Sequence, residues 1–176
     1  MNFHFLFKKT YDYETRIIKQ VDKVSDNLTL FNIALDSDSL NLDSRPIHKR
    51  YEFGDFPPLD ISFDSETGML KEFTIFIRKA EVSNIESSIS TDLVSLSGYP
   101  CFEFFNLEKH EYYYDEECQI EISIHKSALQ INLLTEKIEK VVQINESLSL
   151  FLNVGDEFVG FLCSNLTEQD LIDLRN

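Results

Sequence analysis

The chain has 176 residues, a formal net charge of −15 and 43% apolar residues, enough chain to bury roughly 70% of its unfolded surface without help from a metal or disulfide and too apolar a composition for disorder. Cys101, Cys118 and Cys163 are odd in number, widely spaced and form no C-x-x-C pattern, which argues against a disulfide framework and against a zinc site. Fifteen Phe and seven Tyr beside only five Gly and four Pro suit pleated, half-buried strands better than a loop-rich scaffold.

In chain order, Phe3, Phe5 and Phe7 alternate with Asn2, His4 and Leu6, which predicts a strand with one buried face and His4 pointing outward. The opening MNFHFLFKK is too short in apolar residues for a signal peptide, and its lysines follow the apolar stretch instead of preceding it. No run approaches the ~20 apolar residues of a membrane span, so a cytoplasmic, reducing location is expected, with the thiols free and buried or half-buried. Tyr13, Ile17, Val21 and Val24 fall at helical spacing after Thr10 and Asp12, and predict a short helix within 12–24. Residues 28–35 read as a strand. The stretch 36–44, DSDSLNLDS, has the outline of a calcium loop in Asp36 and Asp38, but Leu40 occupies a ligand position, Asn41 the glycine position, and the closing Glu is missing. It reads as a plain loop. His48-Lys49-Arg50 is the chain's basic cluster that includes histidine, and reads as a solvated loop before Pro57-Pro58.

Residues 59–77 form a clear hairpin pattern: LDISFD, a DSETG turn whose Gly68 supplies positive φ, and LKEFTIFIR. Residues 79–98 are serine-rich and weakly patterned, with Val82, Ile85 and Ile89 at the spacing of a short helix. If the single domain expected over 1–176 has an internal joint, it falls there. Gly98-Tyr99-Pro100 reads as a turn and CFEFF as a short strand. Ile120, Ile122 and Ile124, then Leu129, Ile131 and Leu133, alternate with polar residues about His125-Lys126-Ser127, a hairpin with one wet face and an exposed His125. Strands follow at 141–144, 148–152 and 158–163, and Thr167 caps a final helix with acids in its first turn. The halves share a strand, Gly turn, strand outline, and no residue pattern beyond it. Together these elements predict an α+β fold: a mainly antiparallel sheet of hairpins and meander with two or three short helices.

The charge is uneven. Residues 1–79 hold 11 Lys/Arg against 13 Asp/Glu; residues 80–176 hold 5 against 18. The densest stretch is 103–121, where Glu103, Glu108, Glu111, Asp115, Glu116, Glu117 and Glu121 stand against Lys109, with Tyr112, Tyr113 and Tyr114 in their midst. Such a field repels nucleic acid and anionic lipid and attracts a basic protein, and tyrosine beside acid is interface chemistry. By alternation, at least one of the three tyrosines should point inward. The candidate partner-binding residues are therefore Glu103, Glu108, Glu111, Tyr112, Tyr113, Tyr114, Asp115, Glu116 and Glu117.

Catalytic patterns are missing: no G-x-S-x-G, no Walker loop, no dinucleotide glycines, and Tyr114 stands where a zinc-protease helix beginning at His110-Glu111 would need its second histidine. Neither a cofactor nor a metal is expected. An enzyme would have to use His48 or His110 with nearby acids; a sheet domain serving ligand binding or structure is another alternative.

The segments PPLDISFDSETGMLKEFTIFI and ESLSLFLNVGDEFVGFLCSNLTEQDLIDL resemble the hairpins and terminal helix of small β-rich immunity proteins of bacterial polymorphic-toxin and contact-dependent growth-inhibition systems. The resemblance covers about a third of the chain in style. It implies a cytosolic, non-enzymatic protein that binds one cognate toxin domain, often a basic nuclease, and it transfers no individual residue.

Overall fold

The computed structural model describes residues 3–37, 44–84, 93–134 and 137–175. The calcium-like stretch at 38–43 and most of the serine-rich connection, 85–92, lie outside them. The first-half strands are β1 (His4–Tyr11), β2 (Arg16–Ser25), β3 (Leu28–Asp36), β4 (Pro46–Glu52), β5 (Leu59–Asp64) and β6 (Leu70–Arg78). A 3-10 turn at Lys79–Glu81 leads to β7 (Val82–Asn84), β8 (Val94–Ser97), β9 (Tyr99–Phe105), β10 (Tyr113–Glu117), β11 (Ile120–His125), β12 (Ala128–Leu133), β13 (Lys140–Gln143), β14 (Leu148–Leu152), β15 (Phe158–Cys163) and α1 (Glu168–Arg175). They make a six-stranded sheet of order β10-β4-β5-β6-β3-β2, a seven-stranded sheet of order β7-β11-β12-β15-β14-β13-β8, and a β1-β9 ribbon. Pairing is mostly antiparallel. The parallel pairs are β10 with β4, β7 with β11 and β8 with β13, all at sheet edges.

The described residues contain one α-helix where two or three were expected. The helix predicted within 12–24 is the strand β2. Ile17, Lys19 and Val21 are half-buried while Ile18, Gln20 and Asp22 are exposed, an alternation of two that pairing with β3 enforces; the β-branched pair Ile17-Ile18 suits the pleat better than a helix. His48-Lys49-Arg50 is likewise no loop but the middle of β4, with Lys49 on the buried row between Ile47 and Tyr51. Tyr99 and Pro100 begin β9 instead of turning. The predicted hairpins are present, with Ile120 opposite Leu133 and Ile61 opposite Phe73. The expected wet face of the second is drier than its pattern implies: Ser123 is buried, and His125 is half-buried.

The two halves repeat one connectivity. A hairpin (β2-β3, β11-β12) is followed by a three-strand meander (β4-β5-β6, β13-β14-β15) whose last strand returns beside the hairpin's second strand (β6 on β3, β15 on β12). Both meander turns open on an Asx side chain, though the bonds differ. Asp64 accepts hydrogen bonds from the backbone N–H of Glu66 and Thr67 at 3.0 and 2.8 Å. Asn153, at the same place after β14, accepts one from the N–H of Glu157 at 2.9 Å.

The two sheets join through their equivalent strands: Phe73 of β6 stacks on Phe161 of β15 with centroids 4.6 Å apart. Phe5 of β1 meets Phe63, Phe102 and, at 6.5 Å, Phe158, so the ribbon packs against both sheets within one connected core. The Lys79–Glu81 turn and α1 are the short elements at the periphery. In α1, Thr167 Oγ1 accepts from Asp170 N at 3.1 Å and Asp170 Oδ2 accepts from Thr167 N at 2.8 Å, a reciprocal cap. Lys19 holds Asp170 at 2.6 Å, and Leu174 is buried.

Gly68 is where the ribbon meets the first meander. Its φ is 74°, and an added Cβ would lie 1.9 Å from the Phe102 carbonyl oxygen, while Phe102 N donates to Gly68 O at 2.9 Å. Gly68→Ala should therefore lower unfolding free energy by more than about 1 kcal/mol, measured by urea denaturation. Asp64 sets a second expectation. Burial alone would raise its pKa, but hydrogen bonds from Ser44, Thr67 and Glu66 outweigh burial and lower it. Its contribution is then present above the ordinary carboxylate range and lost as pH falls through the depressed value. The stability gap between the native chain and Asp64→Asn should be widest near neutral pH and close in acid, read from urea midpoints.

Candidate functional site

The acidic tyrosine segment folds into β10, and its partner is the basic cluster. In the parallel register Tyr113 stands beside His48, Tyr114 beside Lys49 and Asp115 beside Arg50. His48 N donates to Tyr112 O at 2.7 Å and Cys118 N to Glu52 O at 2.9 Å, so by the period of two the backbone groups of Tyr113, Asp115 and Glu117 face away from β4.

Lys49 is 4% exposed. Its Nζ lies 2.6 Å from Glu116 and 5.4 and 5.9 Å from the centres of the Tyr51 and Phe3 rings. A buried ammonium needs such a partner. Arg50 grips Asp115 with two bonds, of 2.5 and 2.7 Å, in a partly exposed pair. Burial slightly opposes the guanidinium charge, but the hydrogen bond to Asp115 is the larger influence and raises the Arg50 pKa.

The three tyrosines divide the work. Tyr114 is buried, its ring 4.0 Å from that of Phe3, as alternation required. Its hydroxyl accepts from Glu108 N at 3.0 Å and donates to Glu111 O at 3.4 Å, which fixes the 108–111 turn. Tyr112 is half-buried beneath the Arg45 guanidinium at 4.0 Å. Tyr113 is 52% exposed and stacks on His48 at 4.7 Å. Beside them opens a cleft of about 380 Å³, with Phe3 and Tyr114 at its base and Glu108, Glu111 and Glu117 among its lining. Next to Glu117 a second cleft, of about 430 Å³, adds Glu52.

The candidate residues thus separate into two groups. Glu103, on β9, pairs with Lys8 at 3.5 Å, away from the cleft, and Asp115 and Glu116 are bound to the basic cluster. Glu108, Glu111 and Glu117 are exposed and form no ion pair among the described residues. Sequence reasoning missed Phe3, Arg45 and Arg50 as parts of this region. The signal for Arg50 was the complementarity of KR at 49–50 to DE at 115–116, visible only once the two strands are known to be neighbours.

Of the two histidines considered for catalysis, His110 is exposed at a left-handed position (φ 75°) in the turn. His48 has a polar neighbour, with Nδ1 2.9 Å from Asp60. Among the described residues no group of three or more His, Cys, Asp or Glu could hold a metal ion. Cys101 and Cys163 are buried and Cys118 half-buried, all unbridged; burial pushes each thiol up, Cys163 to about 11, which keeps them protonated and weakly nucleophilic near neutrality. No described helix is long and apolar enough to cross a membrane. The chain matches no protein-family model and no curated protein.

Removing the carboxylate that balances the buried Lys49 should cost more than removing the one that balances the partly exposed Arg50. Glu116→Ala is expected to destabilise by about 1–3 kcal/mol, by stranding the Lys49 charge, and Asp115→Ala by about 0.2–1 kcal/mol. Adding Lys49→Met to Glu116→Ala should recover most of the first loss. Urea denaturation of the double-mutant cycle measures all three.

Proposed function

We propose that this chain is an immunity-type protein that neutralises a cognate basic toxin domain, of nuclease type, by occlusion at the β10 edge. The observation that carries the reading is the set of carboxylates, unpaired among the described residues, that line the cleft over Phe3 and Tyr114: Glu108, Glu111 and Glu117; the exposed Tyr113 ring stands on the same strand as Glu117, outside that lining. They are held in advance by the Tyr114 hydroxyl and the β4 ladder, so docking orders few new groups. A nuclease grips phosphates with Lys and Arg; carboxylates at fixed spacing can occupy those cations while Tyr113 supplies apolar contact. Asp115 and Glu116, themselves exposed, support the surface by balancing Arg50 and Lys49.

The runner-up, an enzyme, rests on the His48–Asp60 pair. In an immunity protein that pair orients the Tyr113 stack and has no reacting group to serve, so His48→Gln should leave protection intact; loss of a chemical activity in that variant would favour the enzyme.

The main test is to look for a basic toxin domain encoded beside the gene, co-express the chain with it and follow complex formation by stopped flow at rising salt; the absence of any such neighbour counts against the reading. Glu108→Lys, Glu111→Lys and Glu117→Lys combined should slow association about tenfold or more at low salt and flatten its salt dependence. If the triple reversal leaves both association and protection from the toxin untouched, the surface is wrong.

A further inference from the structure

Tyr51, the last inward residue of β4, carries a hydroxyl that the fold leaves unused. The residue is 6% exposed, and among the described residues its oxygen takes part in no hydrogen bond. No sealed side-chain oxygen or nitrogen among them lacks a partner, so the Tyr51 hydroxyl is not sealed. It opens on a cavity of about 240 Å³ that Tyr51 lines.

Phe3, Phe5 and Phe158 line the same cavity. The ring centroids stand 6.3 Å apart for Phe3–Phe5, 6.5 Å for Phe5–Phe158 and 6.4 Å for Tyr51–Phe158, against 4.0 Å for the closed stack of Phe3 on Tyr114. The rings border a space instead of filling it. Lys49 lines it too, with Nζ 5.9 and 5.4 Å from the Phe3 and Tyr51 centres. Its ammonium has three N–H groups and, among the described residues, one anionic partner, Glu116 at 2.6 Å. Burial first, then the charges of Glu116, Cys118 and Glu157, raise the Tyr51 pKa well above the ordinary phenol value, so the hydroxyl remains a proton donor. Buried donors short of acceptors, set among apolar walls, are half of a ligand site.

We propose that this cavity binds a small, uncharged, mostly apolar molecule through a carbonyl or hydroxyl oxygen that accepts from Tyr51 Oη and Lys49 Nζ. The charges of the lining select for neutrality. A cation would meet the buried ammonium. An anion would meet Glu116 and Glu157, both exposed lining residues, in a chain of net charge −15. Lys49 already has its counter-charge in Glu116, so an ionic ligand balances nothing and adds a desolvation cost. A neutral acceptor escapes both repulsions, satisfies the donors and leaves its apolar body to the rings. The volume suits roughly one ring with one short substituent, below the range of drug-sized pockets. The Lys49–Glu116 pair also lines the acidic cleft, yet the cleft offers carboxylates where the cavity offers donors. The site stands whether or not a basic domain docks at β10.

A charge series of one shape tests it: benzamide, benzoate and benzylamine, each titrated into the isotope-labelled native chain and followed by amide chemical shifts. Benzamide should shift the amides of Tyr51, Phe158 and Val159 with a dissociation constant in the millimolar range or below, and the two ions should bind there at least about tenfold more weakly. Tyr51→Phe removes only an oxygen that has no partner among the described residues. Its urea midpoint should equal or exceed the native one, while its affinity for benzamide falls about threefold or more. Silence of those amides towards benzamide, as for a cavity that holds water alone, overturns the proposal. So does an ion that binds there as tightly as benzamide, or a Tyr51→Phe chain that binds benzamide as the native chain does.

Discussion

The structure turns on a lysine in the wrong place for its chemistry. The inward row of β4 runs Ile47, Lys49, Tyr51, and Lys49 is as buried as its apolar neighbours. A charged amine there cannot stand alone. Its balancing carboxylate, Glu116, comes from 67 positions further along the chain, so the first half's sheet is finished by a strand of the second half. Once β10 is there, Tyr114 stacks on Phe3, its hydroxyl pins the 108–111 turn, and the acidic rim acquires a shape. Replacing the Lys49–Glu116 pair by apolar residues could match it in stability. What the pair adds is register: only one parallel alignment brings Glu116 to Lys49 and Asp115 to Arg50 together.

This changes the meaning of the charge asymmetry. Among the described residues, four ion pairs join a base of the first half to an acid of the second: Lys8–Glu103, Lys19–Asp170, Lys49–Glu116 and Arg50–Asp115. Part of the acidic excess beyond residue 79 is therefore the other side of a charge match within the molecule. Such pairing leaves the net charge at −15 but divides the uncompensated acid more evenly between the halves than the sequence sums do.

Local pattern was legible and distant pairing was not. The hairpins at 59–77 and 120–133 could be read because each strand's alternation and its turn residues lie within a short window; Gly68 is the clearest case, demanded by its positive φ. Strand β2 was misread because Tyr13, Ile17 and Val21, each four apart, satisfy a helical spacing as well as a strand's, and only the neighbouring β3 decides between them; Val24, which fits the helical row alone, is exposed. The duplicated five-strand connectivity left almost no trace, since each half keeps only the apolar alternation and an Asx residue at the meander turn, Asp64 or Asn153. The density of acid around Tyr112 to Tyr114 is plain in the sequence, but which carboxylates it spends on Lys49 and Arg50 depends on a pairing across more than sixty residues.

The duplication also offers an internal control on β10. In each repeated unit the first meander strand is flanked by a parallel strand from outside the unit: β10 beside β4, β8 beside β13. The architectural task is the same, to cover an edge. Strand β8 does it with Val94, Ser95, Leu96 and Ser97 and no charge at all, so edge covering does not require acid. Two of the acids on β10 answer Lys49 and Arg50, which have no counterparts among Val141 and Val142 on β13. Glu117, and Glu108 and Glu111 in the turn before the strand, answer no cation among the described residues. Like charges on an exposed edge discourage unwanted strand pairing, but that accounts for Glu117 on the strand and not for two glutamates held in a turn by a buried tyrosine. Their placement is the residue of the charge pattern that neither folding nor edge protection consumes, and it is the part on which the proposed docking of a basic domain rests.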